Sequence, residues 1–303
     1  MQKKIEKVAI IGMGALGMMY GNHIAKHDIT THYILDAERY LTYQNKKFVV
    51  NNQEINVVLR QNDQVTSYDL VIVAVKYNNL QDAIESMKHC IDEHTIIISV
   101  LNGINSEEII SQRYGENHIV YCVAQGMDSL RVDHEIRYTK MGYLCIGKLP
   151  HQSSDNLNTL IEFFDEIEMP YQIEEDILYR IWGKWMLNIG INQVCMVYDT
   201  TYGGALTKEK ASKTLLLAME EVIALSKLEG INLKEEEIDY YINLMKTLNP
   251  DSCPSMEQDR IAKRKTEVEM FSGELIRRAK VFGLEVPVNK YLYEQIKKIE
   301  NAY

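Results

Sequence analysis

Apolar residues follow two rhythms along this chain. In the first half, short β-branched runs alternate with longer periodic or polar stretches. Val8–Ile11, His32–Leu35, Leu70–Val75, Thr95–Leu101, Ile119–Val123 and Tyr143–Ile146 read as strands, and Leu16–Lys26, Leu80–Cys90 and Ser106–Arg113 as helices. LVIVAV and TIIISVL are apolar at consecutive positions, which suits strands buried on both faces of a parallel sheet. The pattern predicts an α/β, doubly wound sheet.

From about Asp176 the texture changes to Trp, Met and Leu at helical spacing. A helix carrying Leu215, Met219, Val222 and Ile223 ends at Gly230 in the manner of a C-capped helix. The second half is expected to be all-helical. Asn249–Pro254 is a turn-rich break, and Ser255 is placed to cap a long helix after it. With Pro170 near the change, we expect an α/β domain over 1–174 and an all-α domain over 175–303.

The sharpest local signal is Gly12-Met13-Gly14-Ala15-Leu16-Gly17, a GxGxxG between a strand and a helix. The first glycine permits the tight turn, the second lets backbone approach a pyrophosphate, and the third lets helix and strand pack closely. This context predicts a Rossmann-like dinucleotide site. Asp36, at the end of the second strand and 19 residues past Gly17, is placed to accept hydrogen bonds from the adenosine ribose and favours NAD(H). Arg39, three residues on, could instead bind the 2′-phosphate of NADP(H).

Lys76 and Asn102-Gly103 follow two further strands, on the side where open α/β sheets collect ligands. Taken singly, a lysine after a strand is often a solvated charge, and Asn-Gly is often a plain turn. In the helical half, Lys184, Asn188 and Asn192 stand at i, i+4 and i+8, a polar stripe among Trp182, Trp185 and Met186. Ser255 and Glu267 could bring a hydroxyl and a carboxylate to the same cleft, although Glu267 by periodicity is one acid in a charged helix.

Charge and cysteine usage narrow the partners. Among 303 residues, 43 acidic and 33 basic side chains leave a formal charge of −10, so neither a nucleic acid nor a membrane is an expected partner. Five cysteines without a CxxC pair fit a reducing, cytoplasmic compartment. The longest apolar run, Leu70–Val75, spans six residues, and the N-terminal run is too short for a signal peptide. His23 and His27 have metal-ligand spacing but no third ligand, so no metal is expected. Helices bearing Tyr240, Tyr241, Tyr291 and Tyr293 could form a homodimer interface, or fill a core.

Taken in order, the motifs resemble those of the ketopantoate reductases nearly end to end. These are the GxGxxG, Lys76 and Asn102-Gly103 after their strands, W-x-K-x-x-x-N-x-x-x-N over 182–192, SMxQD over 255–259, and R-x-TE over 264–267. The resemblance implies NADP(H) on the glycine loop, with Lys76 and Asn102 contacting the nicotinamide end and the substrate. It makes Lys184 the general acid, Asn188, Asn192 and Ser255 substrate-binding groups, and Glu267 a partner for substrate or lysine. The implied reaction is hydride transfer to the ketone of 2-dehydropantoate, giving (R)-pantoate, with Lys184 stabilising and protonating the developing oxyanion. Asp36 stands where NADPH-preferring relatives usually carry arginine, and Gln193 where proline often follows. The alternatives are an NAD-dependent D-2-hydroxyacid dehydrogenase acting on branched or aromatic 2-oxo acids, and a dinucleotide-binding protein without turnover.

Overall fold

The consecutive apolar runs are buried as their pattern requires. Val8–Ile11 and Leu70–Val73 are inaccessible along their whole length in the computed structural model, which describes residues 4–303. The first three residues of the expected N-terminal domain lie outside that range. The chain forms two compact units, one ending at Ile177 and one running from Leu178 to Tyr303.

The first unit contains β1 (Lys7–Ile11), α1 (Ala15–Ile24), β2 (Thr30–Leu35), α2 (Ala37–Tyr43), β3 (Phe48–Val50), β4 (Gln53–Ile55), β5 (Leu59–Gln61) and β6 (Leu70–Val73). It continues with α3 (Leu80–Ser86), β7 (Ile96–Ser99), α4 (Ser106–Tyr114), β8 (Tyr121–Gln125), β9 (Leu130–Val132), β10 (Glu135–Arg137), β11 (Tyr143–Gly147), α5 (Asp155–Glu166) and β12 (Tyr171–Ile173). A fully parallel sheet runs in the order β5-β2-β1-β6-β7. Its two-sided burial explains why its central strands are apolar at every position.

Two smaller sheets complete this unit. The strands expected near 119–123 and 143–146 belong to a separate sheet, in which β8 pairs antiparallel with β11 and β11 parallel with β12; a parallel bridge from Ile119 to Ile97 is what joins this run to β7. The other is a ribbon, β4-β3-β10-β9, inserted after α2 and again after β8. Phe48, Val50 and Ile136 anchor it in the same core as the sheet. Sequence periodicity misses it because three-residue strands are too short to alternate visibly. Asn51-Asn52, both at positive φ, was the available hairpin signal.

The second unit is helical: α6 (Ile177–Val197), α7 (Tyr202–Thr207), α8 (Glu209–Leu228), α9 (Glu236–Lys246), α10 (Ser255–Ile261), α11 (Glu274–Val281) and α12 (Pro287–Glu300), with a π-helical turn at Glu269–Gly273. Gly230, at φ +80°, follows α8 as the C-cap pattern predicts. The helix after Ser255 is short rather than long. Ser255 is its first residue, not its cap, because Pro254 occupies the cap position and the serine hydroxyl is committed elsewhere.

A buried polar knot fixes this bundle. Gln193, fully buried, accepts from Ser272 Oγ at 2.5 Å and donates to Asn289 Oδ1 at 3.3 Å. Asn289 Nδ2 donates in turn to Glu221 at 2.8 Å. A proline at 193 has no side-chain amide and could not make these bonds. Among the described residues no helix is long and apolar enough to cross a membrane. Tyr241 is buried, whereas Tyr240 and Tyr291 are exposed.

Candidate active site

The first cluster of candidate residues lies at the carboxyl edge of the parallel sheet, where the strand order reverses beside β1. Gly12 has φ +112°, and a Cβ there would sit 2.5 Å from Ala74 O. At Gly17 it would sit 2.1 Å from Gly12 O. Packing alone demands glycine at both positions. A Cβ at Gly14, by contrast, would meet only Ala74 O, at an ordinary 3.7 Å. What it would occupy is the approach to the first turn of α1, opened by Ala15 and Leu16, with Met13 buried behind. The loop therefore fits a dinucleotide's pyrophosphate, which needs close backbone approach and helix-terminal amides.

Asp36 follows β2 as expected, but as the N-cap of α2. Its Oδ1 accepts from Arg39 N at 2.7 Å and its Oδ2 lies 3.5 Å from Arg39 Nε. The arginine that could meet a 2′-phosphate is thus paired with the carboxylate that would repel one. Lys76 is exposed at the start of the 3-10 turn Tyr77–Asn79 after β6, and Asn102 is half-buried just beyond β7. Asn105 Nδ2 donates to Tyr77 Oη at 3.1 Å and ties these two segments together.

Five residues past Asn102, Glu107 is buried in the first turn of α4. Ser106 Oγ donates to its Oε2 at 2.7 Å. Burial pushes its carboxyl up to about 7, against the pull of the Ser106 hydroxyl and backbone donors. A raised carboxyl pKa stabilises the fold fully below the unfolded value, and that stabilisation is lost as pH rises through the folded value. Glu107→Gln should therefore match the wild type at about pH 4.5 and exceed it by on the order of 3 kcal/mol at about pH 8. Denaturant unfolding at the two pH values checks this; a stability gap independent of pH would contradict it.

The second cluster is built on α6. Asn192 is buried. Its Oδ1 accepts from Ser255 Oγ at 3.1 Å and from Met256 N at 3.2 Å, while its Nδ2 donates to Asn188 Oδ1 at 3.3 Å. Asn188, Asn192 and Ser255 are thus brought together. Lys184 lies half-buried one turn before Asn188, between the buried Trp182 and Trp185. Trp185 Nε1 donates to Met270 O at 2.9 Å, and Met270 N to Glu267 O at 3.0 Å, which links the turn bearing Glu267 to α6.

Sequence reasoning missed the residues that set these groups in place. Glu300 of α12 accepts from both N and Oγ1 of Thr266, each at 2.7 Å, and so fixes the residue before Glu267. Nothing marks Glu300 among the charges of KKIE. Tyr202 N donates to Ser252 O at 3.0 Å and Gly203 N to Pro250 O at 2.8 Å, pinning the turn that leads to Ser255. His23 Nε2 lies 2.7 Å from Ile167 O, and among the described residues no group of three or more His, Cys, Asp or Glu could hold a metal ion.

A parallel sheet with this glycine turn, followed by a helical unit carrying a lysine-asparagine stripe, defines a nicotinamide-dependent oxidoreductase. Residues 8–151 match the family described as ketopantoate reductase PanE/ApbA, and residues 176–300 match its C-terminal domain. The chain belongs to the ketopantoate reductase family. It is 23% identical over 295 residues to a 2-dehydropantoate 2-reductase of Streptococcus pyogenes, covering 95% of this chain and 96% of the relative. Among solved structures it shares its fold with D-mandelate dehydrogenase in complex with NADH, at TM-score 0.88 and 22% identity over 98% of this chain and 99% of that one. It shares it also with a dimeric ketopantoate reductase from Staphylococcus aureus, at TM-score 0.81 and 21% identity over 98% and 99% of the two chains.

Proposed function

We propose that the chain reduces the ketone of 2-dehydropantoate to (R)-pantoate with a nicotinamide cofactor. The observation that carries this reading is the Asn188–Asn192–Ser255 cluster on the helix bearing Lys184, in the motif order of the family. When bound, the nicotinamide supplies the hydride for the ketone carbon. Lys184 stabilises the charge that develops on the ketone oxygen and delivers its proton there from Nζ. Asn188 Nδ2 offers a hydrogen bond to the substrate's carboxylate without adding charge, Ser255 Oγ, its proton given to Asn192, accepts one from the substrate's hydroxyl, and Asn192 fixes their spacing. Glu267 partners the substrate or the lysine. Met13, Ala15 and Leu16 complete the glycine loop, and Lys76 and Asn102 orient the nicotinamide end.

The test is the initial rate of NADPH and NADH oxidation with 2-dehydropantoate and with a branched 2-oxo acid. Turnover of 2-dehydropantoate supports the reading; turnover of the branched acid alone replaces it with a second one, an NAD-dependent D-2-hydroxyacid dehydrogenase. Asp36 favours NADH, because its carboxylate is already fixed as a cap and occupies Arg39. Asp36→Ser keeps a capping oxygen and removes the charge, so the NADPH-to-NADH ratio of kcat/KM should rise about tenfold, the effect of roughly 1.4 kcal/mol. An unchanged ratio would mean that Asp36 does not face the ribose. The exposed Tyr240 and Tyr291 support a homodimer, which sedimentation velocity would read directly. The cysteine pattern supports a cytoplasmic setting.

A further inference from the structure

We propose that Arg131, on the ribbon strand β9, is a further binding residue for the pyrophosphate of the dinucleotide. The proposal rests on the dinucleotide reading of the glycine loop. Strand β9 has an inverted pattern: Leu130 and Val132 are 44% and 59% exposed, while the arginine between them is turned inward. Alternation puts a single residue of this strand on the inner face, and it is the cation.

The guanidinium reaches the glycine loop. Nη1 donates to the carbonyl of Met13, the residue between Gly12 and Gly14, and Nε donates to Asp133 O at 2.6 Å. The Tyr43 ring backs it, with its centroid 6.0 Å from the guanidinium carbon. Two carbonyls and a ring orient the group without neutralising it, and among the described residues no carboxylate pairs with it. Of its five N–H donors, those of Nη2 and one of Nη1 remain. They stand one residue from Gly14, where the loop leaves room that packing does not use. Helix-terminal amides offer a pyrophosphate only partial charge; Arg131 supplies the full positive charge that would complete the site.

The pyrophosphate is common to NADH, NADPH and ADP-ribose, whereas a 2′-phosphate belongs to NADPH alone. Titration calorimetry of the full-length protein with all three, for the wild type, Arg131→Ala and Arg131→Gln, tests the proposal. Both variants should bind all three ligands about 10- to 100-fold more weakly, with the wild-type Tm retained and a shallower salt dependence of Kd. Arg131→Gln retains N–H donors for the Met13 carbonyl but carries no charge. Wild-type affinity in this variant would make Arg131 a latch between ribbon and loop and would overturn the proposal. Loss confined to NADPH would also overturn it, by moving the contact to the 2′-phosphate. A wild type that binds none of the three removes the dinucleotide reading itself, and the proposal with it.

Discussion

Lys184→Met should turn over about 10²- to 10⁴-fold more slowly than the wild type, the range expected when a general acid is lost, and still bind NADH with unchanged affinity. Methionine keeps the length and apolar stem of the half-buried lysine, and the neighbouring Trp182 and Trp185, both nearly inaccessible and packed edge to face on each other, are untouched, so the helix should survive the change. The variant removes the charge that would meet the developing oxyanion. Stopped-flow rates under single turnover separate this from slow product release. Normal turnover in Lys184→Met would remove the lysine from the mechanism. A loss entirely in KM would make it a substrate anchor instead.

Gly17→Ala and Gly14→Ala should fail in opposite ways. At Gly17 the added Cβ falls 2.1 Å from Gly12 O and 3.2 Å from Ala74 Cβ, against backbone that cannot yield without opening the βα turn. Overpacking of this kind costs about 1–3 kcal/mol or more, and the first unit's size converts that into a Tm fall of about 2–12 °C. At Gly14 the added methyl meets ordinary contacts only, so Tm should stay within about 1 °C while affinity for NADH falls on the order of tenfold. Thermal melts with and without NADH read both outcomes. If Gly14→Ala binds NADH normally, the loop does not hold a phosphate.

These contrasts show what was legible in the sequence. The parallel sheet declared itself because burial on both faces leaves unbroken runs such as LVIV and IIIS. The glycine turn was legible because Gly12 and Gly17 each answer a separate packing demand. The ribbon was hidden by strands shorter than one full alternation, and with it Arg131, whose meaning depends on a neighbour 118 positions away. Ser255 was misread as a cap because serine before a helix usually is one; here Asn192 takes its hydroxyl. Asn188 and Asn192 came from i, i+4 spacing, whereas Glu300 bonds Thr266 across 34 positions and leaves no periodic trace.

On the proposed reading Asp36 carries two duties that only a few side chains could separate. It caps α2, and on the proposed reading it also chooses the cofactor. A lineage drifting towards NADPH by way of arginine or alanine at this position would first lose the cap, about 0.5–2 kcal/mol, before any new phosphate contact could repay it. Serine, threonine and asparagine retain a capping oxygen while dropping the charge. The accessible evolutionary path between the two cofactors therefore runs through small neutral intermediates, and an engineer redirecting this enzyme would do well to follow it.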